Sequence, residues 1–297
     1  MGRGSYTASD WSRLRKSRSL DSASSANQIF LKNEMDPRFD PRFIAKREAR
    51  DSEEHPNSTP IMIGVDVTGS MGYLSTQIIK ESLNELMQKL YSSNLVQDPQ
   101  LLFAAIGDAR TDFAPLQVTQ FESDIRIAEQ LLDLWIENRG GDAPEDYQLL
   151  WYFAKYHTDI DSFNKRGKKG YCFTIGDADF HEELEADSIS KVFGDKQKAD
   201  LSSKCLAEMA SEQYEIFHIH IDGNSKPVIM DNIIPGRIMV VNKDMVRYLP
   251  EIIISAIQIT NGMDKKAVVD QWGDMAKKVV ARAISDLCIV SGSTIKF

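Results

Sequence analysis

An aspartate, a threonine and a serine stand at alternate positions, Asp66, Thr68 and Ser70, with Gly69 and Gly72 around them. One carboxylate and two hydroxyls are hard oxygen donors, and three of them within five residues suit a magnesium-type cation. The apolar run 61–65 comes before them and a helix-forming segment after them. That order places the donors at the carboxyl end of a buried strand, where open α/β sheets bind their ligands.

The elements that must hold such a site can be read along the chain. Strands are predicted at 61–66, 101–106, 116–121, 170–175, 214–221 and 238–241 from apolar runs of strand length. Between them, helical spacing predicts helices over 74–91, from Asp124 through Trp135, from Pro144 onward, over 181–212 and over 244–259. A further amphipathic helix is predicted at 264–286, and 287–297 is a short end that could be a strand. Strands alternating with helices imply a mainly parallel sheet covered on both faces, a three-layer α/β/α domain.

The segment Asp66-Val67-Thr68-Gly69-Ser70-Met71-Gly72 resembles the metal-ion-dependent adhesion site of von Willebrand factor A (vWA) domains. Their first loop reads Asp-x-Ser/Thr-x-Ser, often followed by Met-Gly. The resemblance covers about 61–260 and implies a Rossmann-like vWA domain with one divalent cation at the top of its sheet. Thr68 and Ser70 would bind the ion directly, and Asp66 directly or through water. The family's last ligand, an Asp after the fourth core strand, corresponds to Asp177 in Thr174-Ile175-Gly176-Asp177-Ala178-Asp179, with Asp179 as the alternative. The middle loop departs from the usual pattern. Gly140-Gly141-Asp142-Ala143-Pro144-Glu145 lacks the expected Thr and is similar to the loop of integrin β-subunit domains. Carried over, Glu145 becomes a metal ligand and Asp142 a candidate for a neighbouring site. A third acid lowers the ion's residual charge and weakens its capture of an external carboxylate. The competing reading of Glu145 is an acid in the first turn of a helix.

The resemblance implies a non-catalytic, Mg2+-dependent (or Mn2+- or Ca2+-dependent) protein-interaction module. Its partner could be an AAA-type ATPase, a co-encoded assembly component or a second copy of the chain. Two other readings stay open. In a haloacid dehalogenase-like phosphotransferase, Asp66 would be the nucleophile and Lys168 or Lys169 would balance charge. However, Thr68 stands where such phosphatases need a second Asp. In a structural subunit, the amino-terminal arm would reach a neighbour. A nucleophile elbow at Ser70 lacks its first Gly, and no Gly-Lys-Ser/Thr phosphate loop exists.

Other features have bland readings. Gly107-Asp108 through Asp112 reads as a solvated turn, and the run Lys165–Gly170 likewise, with a small-anion or acidic-partner patch as its alternative. His218 and His220 share one face of a strand. Packed histidines are expected there, rather than a zinc pair aided by Asp222 or His181. Cys172, Cys205 and Cys288 are expected to be buried, unpaired thiols in a reducing cytoplasm.

With 42% apolar and 27% charged residues the chain has the composition of a soluble globular protein. No apolar stretch approaches the roughly 18 residues of a membrane span, and the start has no signal-peptide core. Residues 1–50 hold eleven Lys/Arg against six Asp/Glu, so +5, which leaves −14 for the rest. On charge alone the body is a poor nucleic-acid binder, which leaves the basic arm as the part that could touch one. That arm, 1–57, is Ser/Arg-rich and repeats Asp-Pro-Arg-Phe at 36–39 and 40–43. It is expected to be irregular or disordered, a strap on the domain's own surface or a docking arm that inserts Phe39 and Phe43. The vWA-like domain is expected over 58–262 and a helical extension over 263–297.

Overall fold

The computed structural model describes residues 4–20, 26–69, 71–78, 82–92, 95–137, 144–221 and 227–288. The arm is a strap with regular pieces. Helix α1 (Ala8–Ser17) is capped by Thr7, whose hydroxyl accepts from the Asp10 N–H, and it buries Trp11 and Leu14. A short α2 (Ala26–Ile29) follows. Both copies of the tandem repeat form the same turn, in which Asp36 and Asp40 accept from the N–H and guanidinium of Arg38 and Arg42. Their phenylalanines part company. Phe39 is 2% exposed and its carbonyl accepts from the Val118 N–H, whereas Phe43 is 70% exposed. Phe39→Ala is expected to cost about 3 kcal/mol and Phe43→Ala less than about 0.5 kcal/mol, read from denaturant midpoints.

Strand β1 (Arg47–Ala49) leads into β2 (Thr59–Asp66), then α3 (Gly72–Gln77), α4 (Leu83–Ser92) and β3 (Pro99–Ile106). The helix predicted at 74–91 is helical over 72–78 and 82–92, and 79–81 lie outside the described residues. Strand β4 (Leu116–Val118), shorter than predicted, precedes α5 (Arg126–Leu132) and α6 (Gln148–Tyr156). Asp124 accepts from the Arg126 N–H at the start of α5, as a capping acid does. Pro144 does not open α6, because Glu145 is held in a β-bridge and the chain turns into the helix only at Tyr147.

Strand β5 (Thr158–Ile160) pairs with β1, and α7 (Asp161–Arg166) and β6 (Gly170–Gly176) follow. The stretch 181–212 is not continuous helix. It holds a β7–β8 pair (Glu183–Leu184 with Leu201–Ser202) around α8 (Ala186–Phe193), and then α9 (Ser203–Ser211). Beyond β9 (Tyr214–Ile221) come α10 (Val228–Ile233), β10 (Ile238–Val241) and α11 (Leu249–Thr260). The end is α12 (Lys265–Asp270) and α13 (Asp274–Ala283) in place of one helix, and 289–297 lie outside the described residues.

The six-stranded sheet runs β10-β9-β6-β2-β3-β4, parallel except for β4. Side chains alternate across it. Ile61, Ile63 and Val65 join Phe103, Phe173 and Ile254 in one core, while Met62 joins Leu102, Leu150 and Cys172 in the other. Both faces are covered by helices, so the central strands are buried along their length. The chain winds outward from β2 through β3 and β4, then returns to β6 and winds the other way. The switch point therefore lies between the carboxyl ends of β2 and β6.

The run Lys165–Gly170 closes α7 through Gly167 and edges a polar groove at the opposite, amino ends of the strands. Its cations are largely answered. Lys165 pairs with Asp161, Arg166 with Asp51, and Lys169 lies 3.8 Å from Glu215. The cysteines are free, but only Cys172 is buried; Cys205 is half-buried and Cys288 exposed. No described helix is long and apolar enough to cross a membrane.

Candidate metal centre

Strand β2 delivers Asp66 to the switch point with no exposed surface. Its Oδ1 accepts two hydrogen bonds from Thr68, from the N–H at 2.8 Å and from Oγ1 at 2.6 Å. This turn is local, and it leaves the Thr68 hydroxyl lone pairs free of its own proton. The other carboxylate oxygen, Oδ2, accepts from the Tyr147 hydroxyl at 3.0 Å. Burial raises the Asp66 carboxyl to about 6, against the lowering effect of these hydrogen bonds.

Glu145 arrives from the middle loop, which is pinned to the exit of β6. Its N–H donates to the Asp179 carbonyl at 2.9 Å, and its own carbonyl accepts from the His181 N–H at 3.4 Å. This extended bridge to Phe180 excludes the helix-first-turn reading, since α6 starts three residues later. The side chain is 3% exposed, and Oε2 is buried with no hydrogen-bond partner. Burial first, then the charges of Asp66, Asp112, Asp108 and Asp146, push its carboxyl up to about 9. A buried carboxylate oxygen without a donor, beside a second buried carboxylate, is the environment a cation would relieve.

Asp177 follows β6 directly, is half-buried, and its charge bears on Asp66. Asp179 turns its carboxylate back to the Phe180 N–H at 2.9 Å, so it serves its own loop. Ser70 and Asp142 lie outside the described residues, as do Gly140 and Gly141.

The structure adds residues that sequence reasoning passed over. The loop after β3 is no solvated turn, because Asp108 and Asp112 are each 5% exposed. Asp112 Oδ2 accepts from the Asp108 N–H at 2.8 Å, and Asp146, just before α6, accepts from the Ala109 N–H at 2.9 Å. The signal available was positional: Gly107-Asp108 ends a strand at the same sheet edge as Asp66. Ligand atoms of Asp108, Asp146 and His181 lie within 4.8 Å of one another. The Arg110 guanidinium touches one member of this trio, His181. It donates to His181 Nδ1 and to Glu185. A guanidinium has only donors, so the ring proton sits on Nε2, 3.9 Å from Asp108 Oδ2. The trio is a second cluster of possible ligand atoms, and the charges of Asp108 and Asp146 bear on Glu145.

His218 and His220 point to the side of Tyr147 and Phe180, with ring centroids 4.9 and 5.0 Å from His218. His218 is fully buried, its Nδ1 is 2.9 Å from Thr174 Oγ1, and burial keeps it neutral. It is a packed histidine, as expected, and Asp222 lies outside the described residues. Lys168 and Lys169 precede β6, a strand length of roughly 20 Å from the Asp66 end of the sheet. They cannot balance charge at Asp66, and no Lys or Arg hydrogen-bonds Asp66 among the described residues.

No family model matches the chain, and no curated protein does. Solved structures match in fold. The pilus adhesin SpaC from Lactobacillus rhamnosus GG, in its open conformation, is similar at TM-score 0.45 and 11% identity over 73% of this chain and 31% of that one. Proximal thread matrix protein 1 from the mussel byssus, with a zinc-occupied MIDAS motif, gives 0.41 and 11% over 68% and 48%. A von Willebrand factor type A protein from Catenulispora acidiphila gives 0.38 and 13% over 68% and 42%. The chain spans less than half the length of each of these. At such identity the likeness concerns the fold alone. The strand order is that of a three-layer, Rossmann-like α/β domain, with Asp66 and Thr68 at its switch point.

Proposed function

We propose that the chain is a divalent-cation-dependent protein-interaction module of the vWA type, with no catalytic activity of its own. The observation that carries this reading is that Asp66 and Glu145 are both buried, that the charge of Asp66 bears on Glu145, and that one Glu145 oxygen lacks any donor. Thr68, Glu145 and Asp177, with Ser70 from the same motif, would hold the ion, and Asp66 would bind it directly or through water. Hard oxygen donors favour Mg2+, with Mn2+ or Ca2+ as substitutes. A bound ion would supply positive charge at an edge that otherwise carries too much negative charge. The phosphotransferase reading loses support with its lysine. Free thiols at Cys172, Cys205 and Cys288 suit a reducing, intracellular setting.

The surroundings favour a basic partner. Glu182, Glu183 and Asp187 are exposed beside the β6 exit, and a three-acid ion site attracts an external carboxylate weakly. An AAA-type ATPase, a co-encoded assembly component or a second copy of this chain would each qualify if it presented basic groups. Capture from native lysate tests the reading. A partner retained with magnesium, released by chelator and lost with Asp66→Ala supports it. Partners that ignore both chelator and mutation sink it.

A further inference from the structure

We propose that the Tyr147 hydroxyl is the positioning group of this metal centre: it sets cation affinity by holding Asp66 and joining the three segments that carry the ligands. This deepens the divalent-cation reading above and rests on it. The hydroxyl donates to Asp66 Oδ2 at 3.0 Å, at the end of β2. It accepts from the Ala178 N–H at 3.4 Å, one residue past Asp177 at the exit of β6. Tyr147 itself stands two residues past Glu145. One oxygen atom thus meets all three ligand-bearing segments.

The space for it is made by Gly176. A Cβ there would lie 1.8 Å from the hydroxyl and 2.5 Å from Cζ, so no side chain can be added without displacing the phenol. The ring is fully buried, with centroids 5.2 Å from Phe180 and 4.9 Å from His218, and cannot swing away. Asp66 accepts two bonds from Thr68 on Oδ1, which leaves rotation about its carboxylate to be stopped on the Oδ2 side. Tyr147 stops it. The Thr68 hydroxyl, whose proton is spent on Asp66, then keeps its lone pairs aimed away from that carboxylate, in the role of a cation ligand.

A tyrosine that merely satisfied its own hydroxyl would affect stability and leave the ion alone. The two roles separate by calorimetric titration of the chelator-stripped full chain with Mn2+, beside its melting temperature in chelator. Outer-sphere partners of metal ligands typically govern affinity by about 10- to 100-fold, and Tyr147→Phe is expected to weaken Mn2+ binding by that much. Gly176→Ala, which keeps the phenol but displaces it, is expected to weaken binding in the same direction. If wild type binds Mn2+ and both variants match it within about twofold, melting lower or not, the positioning role is overturned while the metal centre stands. If wild type takes up no Mn2+, the divalent-cation reading itself falls, and this one with it.

Discussion

Asp66→Ala is expected to abolish the thermal stabilisation that magnesium or manganese gives the wild-type chain. An ion at about 100 times its Kd stabilises the folded state by about 2.7 kcal/mol. In a domain of this size that corresponds to roughly 5–10 °C in Tm. The substitution also strips the acceptor from the Thr68 N–H, the Thr68 hydroxyl and the Tyr147 hydroxyl, and each orphaned donor costs about 1–3 kcal/mol. The variant will therefore melt lower even in chelator, and the informative quantity is the cation-induced shift. Asp179→Ala is the control. Its carboxylate serves the Phe180 N–H, so most of the shift should survive. If neither ion shifts the wild-type melting temperature, the central reading fails.

Glu145→Gln should do two opposite things. In chelator it should raise Tm, because a buried carboxyl that must be held protonated above its ordinary range costs stability that a neutral amide does not. In magnesium it should cancel most of the cation-induced shift. The sign follows from linkage. The folded-state carboxyl lies at about 9, above the ordinary glutamate value of 4.5, so the folded form holds this proton more tightly than the unfolded one. The chelated wild type should then lose stability as pH rises from about 5 to about 9, by a few kcal/mol in all. Asp66 and Asp146, both raised to about 6 by burial, add to the loss at the acid end of that range. A bound cation should flatten the dependence, and so should Glu145→Gln in its alkaline part. Melting curves between pH 5 and 9, with and without magnesium, measure all of this. A Glu145→Gln protein that melts below wild type in chelator at pH 8 would contradict the account.

The two halves of this site differ in how far the sequence betrays them. Asp66 and Thr68 are legible because their geometry is local: a strand ends, and the hydroxyl two residues on bonds back to the carboxylate. The alternation of apolar strands with amphipathic helices likewise carries the three-layer fold, since burial on both faces of a parallel sheet leaves an unmistakable apolar run in 61–65, 101–106 and 170–175. Phe39 and Phe43, by contrast, sit in identical four-residue repeats with identical turns. Only the neighbouring Val118 backbone makes one of them core and leaves the other in solvent.

Glu145 shows the same limit. As sequence, an acid after Pro144 reads equally as a ligand or as a helix-capping charge. The decision comes from its backbone bridge to Phe180, 35 positions away, which holds it extended and out of the helix. Asp108 and Asp112 read as solvated turn residues until the loop before α6 is laid over them. Tyr147 carries no local signal at all, being one aromatic among many in an apolar stretch. By itself the sequence determined the sheet, its order of elements and the first donors of the centre, because those depend on local periodicity and a three-residue turn. The tertiary structure alone decided which carboxylates are shut away from water and which hydroxyl reaches them. That depends on strands and loops far apart in sequence, Asp66 and Tyr147 by 81 residues, meeting at one edge of the sheet, where loss of solvent, more than residue type, makes the site demand a cation.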